Sequence, residues 1–125
     1  MKLKAAGALS REQRLRRTAD FRQLYLSGRR VNGPSLSIFF RPNQLQFSRL
    51  GISVTKKRVK LSTRRHFLQR RLREAFRRKK QCFLPGYDLV FSARRMLNFR
   101  EIEAELLSLA RKARLLQPAE PQDKR

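Results

Sequence analysis

The basic residues of this chain are concentrated in one stretch that also has helical spacing. Residues 63–78, TRRHFLQRRLREAFRR, contain seven arginines, one glutamate and the only histidine of the chain. Between Lys56 and Lys80 there are thirteen lysines and arginines against a single acid, Glu74. A solvated protein surface normally mixes charges of both signs, so this imbalance indicates a polyanionic partner. Arginine suits such a partner because its guanidinium binds phosphate through paired hydrogen bonds and stacks on bases.

Residues that could catalyse a reaction are scarce. The chain has one histidine, one cysteine and nine acids, and the acids form no paired-carboxylate motif. No Gly-rich phosphate loop follows a strand, and no Cys/His cluster has zinc-ligand spacing. The single Cys82 excludes an internal disulfide. We therefore predict no catalytic residue, no protein metal site and no independent active site.

Length and charge limit the class of protein. The chain has 125 residues, 40% of them apolar, and a net charge of +23, which fits one domain with a modest core. Nucleic acid is the first candidate partner and an anionic membrane surface the second, although a membrane helix would need the apolar face that the core requires. No apolar run approaches the roughly 20 residues that span a bilayer. The N-terminus lacks the pattern of a signal peptide, so we expect a cytoplasmic protein.

The spacing of apolar residues predicts an α+β domain with element order αβββαβα. A first helix is expected between an N-cap at Thr18 and Gly28. Period-two patterns predict strands over 35–41, 45–47 and 50–56, joined by short turns as an antiparallel meander. The basic helix follows, then a strand within PGYDLVFSA and a last helix capped by Asn98. These elements make a mostly antiparallel four-stranded sheet packed with helices.

The predicted domain covers residues 14–116. Before it, residues 1–13 are expected to form a flexible basic arm, and residues 117–125 a polar tail. The apolar side of the basic helix should pack on the sheet. Its stripe comprises Leu68, Leu72, Ala75 and Phe76.

A second surface is indicated by one face of the predicted strands. Phe39 shares that face with small hydroxyl residues and a lysine, and Phe21 and Tyr25, one turn apart on the first helix, could line the wall of the groove. Aromatic rings beside basic residues hold unpaired nucleotides by stacking. The alternative is that Phe21 and Tyr25 only pack the helix against the sheet, and periodicity leaves both open. The remaining residues of this face are Ser35, Ser37, Ser53, Thr55 and Lys57.

Five segments of the chain, in this order and spacing, resemble the protein subunit of bacterial ribonuclease P. They cover about residues 14–115, and the combination is more specific than any one segment. The segments are RLRRTADFRQLYLSGRRV, LGISVTKKRVK, RRLREAFRR, YDLVFSARR and NFREIEAELLSLARKA.

The resemblance implies a fold and a function. The fold is a sheet with helices that includes a left-handed βαβ crossover. In the family, RNA performs the cleavage that removes the 5′ leader from precursor tRNA, using Mg²⁺ that the RNA mainly holds. The protein subunit is non-catalytic, binds the ribonuclease P RNA and holds the single-stranded leader in a cleft, which aids substrate and metal binding. No membrane and no obligate protein partner is implied.

The resemblance, together with the charge and strand-face patterns above, predicts the residues of the two RNA contacts. Lys57 is assigned both to the leader cleft and to the contact with the catalytic RNA. The leader cleft comprises Phe21, Tyr25, Ser37, Phe39, Ser53, Thr55 and Lys57. Contact with the catalytic RNA is assigned to Lys56, Lys57, Arg58, Lys60, Arg64, Arg65, His66, Phe67, Arg70, Arg71 and Arg73.

The sequence departs from the family where the basic helix begins. The usual signature there is Arg-Asn-Arg, whereas this chain has Arg65, His66 and Phe67. Arg65 carries over, His66 could donate a hydrogen bond to RNA, and Phe67 could stack. Nearby arginines, Arg64, Arg70 and Arg71, are candidates to replace the missing charge.

Two other functions are compatible with the basic helix alone. One is a ribosome-associated or general RNA-binding protein without a role in cleavage, which would not need an aromatic leader cleft. The other is a free-standing nuclease, which would need clustered carboxylates that the sequence does not contain.

Overall fold

The computed structural model describes residues 11–118. Within this range the chain has the predicted order αβββαβα. The elements are α1 (Thr18–Ser27), β1 (Arg29–Asn32), β2 (Leu36–Pro42), β3 (Arg49–Val54), α2 (Ser62–Lys79), β4 (Tyr87–Ala93) and α3 (Phe99–Lys112), with 3₁₀ turns at Arg11–Gln13 and Lys80–Cys82. Most of the predicted arm and tail, residues 1–10 and 119–125, lies outside the described residues. None of the helices between residues 11 and 118 has the length and apolar character needed to cross a membrane.

The four strands form one mixed sheet with the order β1-β2-β4-β3. β1 pairs antiparallel with β2, β2 pairs antiparallel with β4, and β3 pairs parallel with β4. The predicted meander is therefore wrong, because β4 lies between β2 and β3. A position in the middle of the sheet suits β4, which is buried along nearly its whole length, since a central strand is covered on both faces. The parallel β3–α2–β4 unit is a βαβ crossover, and the left hand that the resemblance implies stays a prediction.

One predicted strand is absent and another was missed. Residues 45–47 form a loop, in which the Asn43 side chain accepts a hydrogen bond from Leu45 N–H (2.8 Å) and donates one to Phe47 O (3.1 Å). Those bonds satisfy backbone groups that a strand would pair with a neighbour. The strand that completes the four-stranded sheet is β1, which was not predicted. Its sequence RRVN is mostly exposed, so it lacks the alternation of apolar and polar residues by which strands are recognised.

The two faces of the sheet are covered by different helices. The main core lies between the sheet and α2 and α3, and the predicted stripe of α2 is buried there. The core faces of β2 and β3 point into it as expected, through residues such as Ile38 and Val54. On the opposite face, α1 and the segment before it pack against β4 through a smaller cluster of Leu15, Leu24 and Val90.

The helix ends match the sequence patterns only in part. α3 begins at Asn98 with a capping box, because the Asn98 side chain accepts from Glu101 N–H and the Glu101 carboxylate accepts from Asn98 N–H. Gly28 follows the last residue of α1, as expected. Arg17, and not Thr18, has the N-cap position of α1, and its side chain makes no capping hydrogen bond. The prediction for Thr18 was wrong by one residue because Thr18 already has helical geometry.

Candidate nucleic-acid interface

The sheet face beneath α1 consists of three cross-strand rows, and we call it the groove face. Strand register sets the rows, because residues paired across neighbouring strands point to the same side. The polar row is Asn32, Ser37, Ser92 and Ser53; the aromatic row is Arg30, Phe39, Val90 and Gly51; and the ionic row is Arg41, Asp88 and Arg49. Two of the predicted cleft residues, Ser37 and Ser53, thus lie in one row, and Phe39 lies in the next.

α1 lies across the aromatic row and brings the three predicted rings together. The Phe21 and Tyr25 centroids are 6.3 Å apart, and those of Tyr25 and Phe39 are 4.7 Å apart in an edge-to-face arrangement. Arg30 lies over the other side of this cluster, with Cζ 5.2 Å from the Phe39 centroid. The three rings and one guanidinium form a continuous aromatic and cationic wall.

The rings differ in how much of each is free to meet a ligand. A Cβ at Gly51 would lie only 2.6 Å from Phe21 Cζ, so the Phe21 ring sits directly on the sheet and packs the helix. Tyr25 is 41% exposed, and Phe39 is half-buried against the smaller cluster. Both possibilities that periodicity left open are thus present: Phe21 packs the helix, and Tyr25 offers an accessible ring.

The polar row is held by a network at one end of the groove. Ser37 Oγ donates to Asn32 Oδ1 (2.6 Å), and the Arg94 guanidinium donates to Ser37 Oγ and to Gly33 O. The Ser53 and Ser92 side chains are half-buried, so their hydroxyls border the groove. Arg94 places a cation next to this row.

Thr55 and Lys57 lie beyond the sheet face on which the sequence pattern placed them. β3 ends at Val54, and the following turn is closed by hydrogen bonds from Arg58 and Val59 N–H to Thr55 O (3.1 and 2.9 Å). Both Thr55 and Lys57 are exposed in this turn. They follow directly after Val54, the last residue of β3.

Four residues that border the groove were missed from the sequence. Arg30 and Asn32 belong to β1, which was not recognised as a strand. Ser92 and Arg94 could have been found, because they alternate with the core residues Phe91 and Ala93 of β4 and must therefore face the groove.

The loop between β3 and α2 presents predicted RNA-binding residues to solvent. Lys56, Lys57, Arg58 and Lys60 are exposed, whereas Val59 is buried in the main core and anchors the loop. Arg65 has a different role from its neighbours, since its Nη1 donates to Val59 O (3.0 Å) and Lys60 O (2.9 Å). It therefore ties the loop to the first turn of α2. Arg64 and His66 are exposed on that turn.

α2 carries its arginines on two separate sides, and Arg70 and Arg73 lie on one of them. With Arg14, which precedes α1, they line a shallow cavity of about 130 Å³ that also includes Glu74 and Arg77. Arg14 is brought there by backbone pairing, since the neighbouring Leu15 N–H donates to Leu50 O (2.8 Å).

Among the residues that the structure describes, a single acid, Glu74, lines this cavity against four arginines. The Glu74 carboxylate is already paired with Arg77 (2.6 Å), and this hydrogen bond lowers the pKa of Glu74. Burial lowers the pKa of Arg73, and repulsion from Arg14, Arg16 and Arg70 lowers it further. The positive charges of this cluster repel one another, so a bound anion such as a phosphate would stabilise them.

The other side of α2 faces α3. There Arg71 and Arg78 lie over the Phe99 ring of α3, with guanidinium carbons 5.8 and 5.5 Å from its centroid, and Arg71 also lies 4.9 Å from the Phe67 centroid. Arg71 thus lies on a different side of α2 from Arg70 and Arg73, as the helical spacing of the three residues predicts.

Metal ligands are not assembled in the described part of the chain. Between residues 11 and 118, no three His, Cys, Asp or Glu side chains come together to hold a metal ion. The buried acid Asp88 is held by Arg49 through two hydrogen bonds (2.8 and 2.7 Å) and by Asn43 (2.9 Å). The hydrogen bonding of Arg49 to Asp88 raises the pKa of Arg49 and fixes the ionic row beside the groove.

These features define a class: a single α+β domain that presents an arginine-rich helix on one side of its sheet and an aromatic groove on the other. The family model for ribonuclease P matches residues 9–114. The ribonuclease P protein component of Thermotoga maritima is 34% identical over 112 residues, covering 84% of this chain and 95% of the relative. The chain therefore belongs to the ribonuclease P protein family, whose members are protein components of a tRNA-processing ribonucleoprotein.

Solved structures agree with this assignment. The RNase P protein of Staphylococcus aureus superposes with a TM-score of 0.76 at 27% identity, covering 84% of this chain and 98% of that one. The RNase P protein of Thermotoga maritima gives 0.71 at 34% identity, covering 78% and 96%. The fold class predicted from the sequence is confirmed.

Proposed function

We propose that this chain binds the ribonuclease P RNA through α2 and the preceding loop, and the single-stranded 5′ leader of precursor tRNA in the groove. The RNA supplies the cleavage chemistry, and the chain itself is non-catalytic. Its net charge of +23 lowers the repulsion between two RNAs that must approach each other. Cytoplasmic localisation follows from these partners.

The main support for this proposal is that the groove and the basic loop are directly connected along the chain. β3 contributes Ser53 to the groove and ends at Val54, and the exposed basic loop leads from there into α2 at Ser62. A leader in the groove and an RNA on the loop and helix would therefore lie next to each other. The anchors Val59 and Arg65 hold the connection in one geometry.

Each surface has the chemistry that its proposed ligand needs. An accessible ring at Tyr25, with Phe39 and Arg30 beside it, suits unpaired bases, which proteins hold by stacking on aromatic and guanidinium groups. The cavity of Arg70, Arg73 and Arg14 suits phosphate, which guanidiniums bind through paired hydrogen bonds. A general RNA-binding protein would not need the aromatic groove.

In this proposal Mg²⁺ is bound mainly by the RNA and not by the protein. The donor set that a divalent cation prefers, several oxygen ligands in one place, is not present in the part of the chain described here. No step is therefore assigned to a metal on the protein. The basic surface instead lowers the concentration of Mg²⁺ that the assembled RNAs require, because fixed cations replace mobile ones near the phosphates.

The proposal is tested by reconstitution with the ribonuclease P RNA of the same organism and a 5′-labelled precursor tRNA. Single-turnover cleavage is measured at low and high Mg²⁺ with the RNA alone, the protein alone and both together. We expect no cleavage by the protein alone and a stimulation of the RNA that is largest at low Mg²⁺. Cleavage by RNA-free protein, surviving removal of contaminating nucleases, would contradict the proposal, as would the absence of stimulation.

A further inference from the structure

A second set of aromatic side chains lies on the seam between α2 and α3. Rings and guanidiniums alternate along it. Arg71 Cζ lies 4.9 Å from the Phe67 centroid and 5.8 Å from that of Phe99, and Arg78 Cζ lies 5.5 Å from the Phe99 centroid. We call Phe67, Arg71, Phe99 and Arg78 the ring–guanidinium ladder.

The outer end of this ladder is open. Phe67 is 40% exposed, whereas its neighbour Leu68 is fully buried and anchors the helix to the core. Phe67 is therefore not required to fill the main core. Between residues 11 and 118 the guanidinium of Arg71 makes no hydrogen bond or ion pair, and its contacts are to the two rings. Its N–H groups remain available to an acceptor at the same place where Phe67 offers a ring.

The ladder is also separate from the groove. α2 and α3 cover the core face of the sheet, whereas Phe21 and Phe39 pack with α1 on the opposite face. A leader bound in the groove would have the whole sheet between it and Phe67. The first turn of α2 instead continues directly from the exposed basic loop, so the RNA bound by that loop is the one that Phe67 would meet.

We propose that Phe67 stacks on an unpaired base of the catalytic RNA while Arg71 binds an adjacent phosphate. This rests on the proposed function and adds a contact of a different kind to it, since the stacking of Phe67 on a base does not depend on charge. An aromatic ring beside a cation is the combination with which proteins hold unpaired nucleotides. The stack of Arg71 on Phe67 orients both groups before RNA arrives, which lowers the entropy lost on binding.

The first test compares Phe67→Leu, which keeps an apolar side chain but removes the ring, with Phe67→Tyr, which keeps the ring. Affinity for the ribonuclease P RNA, without substrate, is measured over a series of salt concentrations. We expect Phe67→Leu to bind roughly five- to a hundredfold more weakly with an unchanged salt slope, and Phe67→Tyr to bind like the wild type. Arg71→Gln should reduce the slope by about 0.7–0.9, because one phosphate contact is lost.

A second measurement uses the absence of tryptophan from this chain. Phe67→Trp introduces a single fluorophore at the open end of the ladder, and stacking on a base should quench it when the RNA is added. Leu26→Trp, at an 80% exposed position of α1, is the control and should change little. Poly-glutamate should leave both signals unchanged.

The outcomes distinguish this inference from the function on which it rests. If the wild-type protein does not bind the RNA, both are overturned. If the wild type binds, but Phe67→Leu binds equally well and Phe67→Trp is not quenched, only the stacking contact is overturned. Quenching by poly-glutamate equal to that by RNA would also overturn it and would indicate a docking site for an acidic protein segment.

Discussion

Tyr25 of α1 and Phe39 of β2 meet edge to face, with their ring centroids 4.7 Å apart. This contact joins the helix to the sheet at the edge of the groove, and it leaves much of the Tyr25 ring accessible. The pair therefore links the packing of α1 to the proposed leader site, and it allows the site to be tested with little loss of stability.

Replacing Tyr25 with Leu should weaken binding of precursors with long leaders by roughly five- to a hundredfold, the effect of losing one stacked base. Precursors with a one-nucleotide leader should bind normally, because such a leader cannot reach the groove. The affinity of the reconstituted holoenzyme for both substrates is the measurement. Phe39→Ala should also weaken the binding of long-leader precursors selectively. It is harder to interpret, because Phe39 packs in the smaller cluster and its loss should also lower stability.

The control for this variant is Leu26→Ala, because Leu26 is the next residue of the same helix and is far more exposed. It should bind both substrates like the wild type. Equal losses for long and short leaders in Tyr25→Leu would favour an ordinary packing role for the ring.

Replacing Arg70 and Arg73 with Gln should lower the affinity for the catalytic RNA and flatten its salt dependence. Each lost phosphate contact reduces the slope of log K against log salt concentration by about 0.7–0.9. Filter binding at several salt concentrations measures this slope. Replacing Arg111 and Lys112 with Gln, which removes two exposed charges in the last turn of α3, is the matched control for net charge. A slope that stays unchanged in the double variant would mean that these side chains do not face RNA.

The pair of Arg49 and Asp88 should contribute to stability and not to RNA affinity. Arg49→Met leaves a carboxylate that is only 7% exposed with Asn43 as its remaining side-chain donor. We expect a loss of about 2–3 kcal/mol, below the range for fully buried pairs because the Arg49 side chain is 30% exposed. Urea unfolding measures the change. The double variant with Asp88→Asn should recover part of the loss, and a fully additive loss would show that the two groups do not interact.

The close approach of Phe21 to Gly51 predicts a specific clash. Gly51→Ala would place a methyl group 2.6 Å from Phe21 Cζ, so the ring and α1 must shift, at a cost of about 1–3 kcal/mol. Combining it with Phe21→Leu should relieve the clash, and the double variant should lose less stability than the sum of the single variants. Thermal melting tests this, and strict additivity would contradict the predicted contact.

The helices were predictable from the sequence because their signals are local. The stripe of Leu68, Leu72, Ala75 and Phe76 and the capping box at Asn98 each depend on residues within one helix. Strand pairing does not, because a period-two pattern shows which residues share a face but not which strand lies beside it. β4 was therefore recognised as a strand but not placed in the centre of the sheet.

The candidate site was predictable only in part, because local patterns show which residues share a face but not where an element ends or what packs against it. Alternation along the strands placed Phe39, Ser37 and Ser53 on one face, and the register confirms this placement. The same rule put Thr55 and Lys57 on that face, which was wrong because β3 ends before them. Helical spacing separates Arg71 from Arg70 and Arg73, but the contact of Arg71 with Phe99 depends on where α3 packs, and no local pattern encodes that contact.

The most direct test of the central claim needs no mutation. The affinities of a long-leader and a one-nucleotide-leader precursor are measured with the ribonuclease P RNA alone and again after the protein is added. We predict that the RNA alone barely distinguishes the two substrates, and that the protein makes the long-leader precursor bind at least about fivefold more tightly, as one stacked base requires. Equal strengthening of both precursors would contradict the account, because the protein would then act through its charge alone.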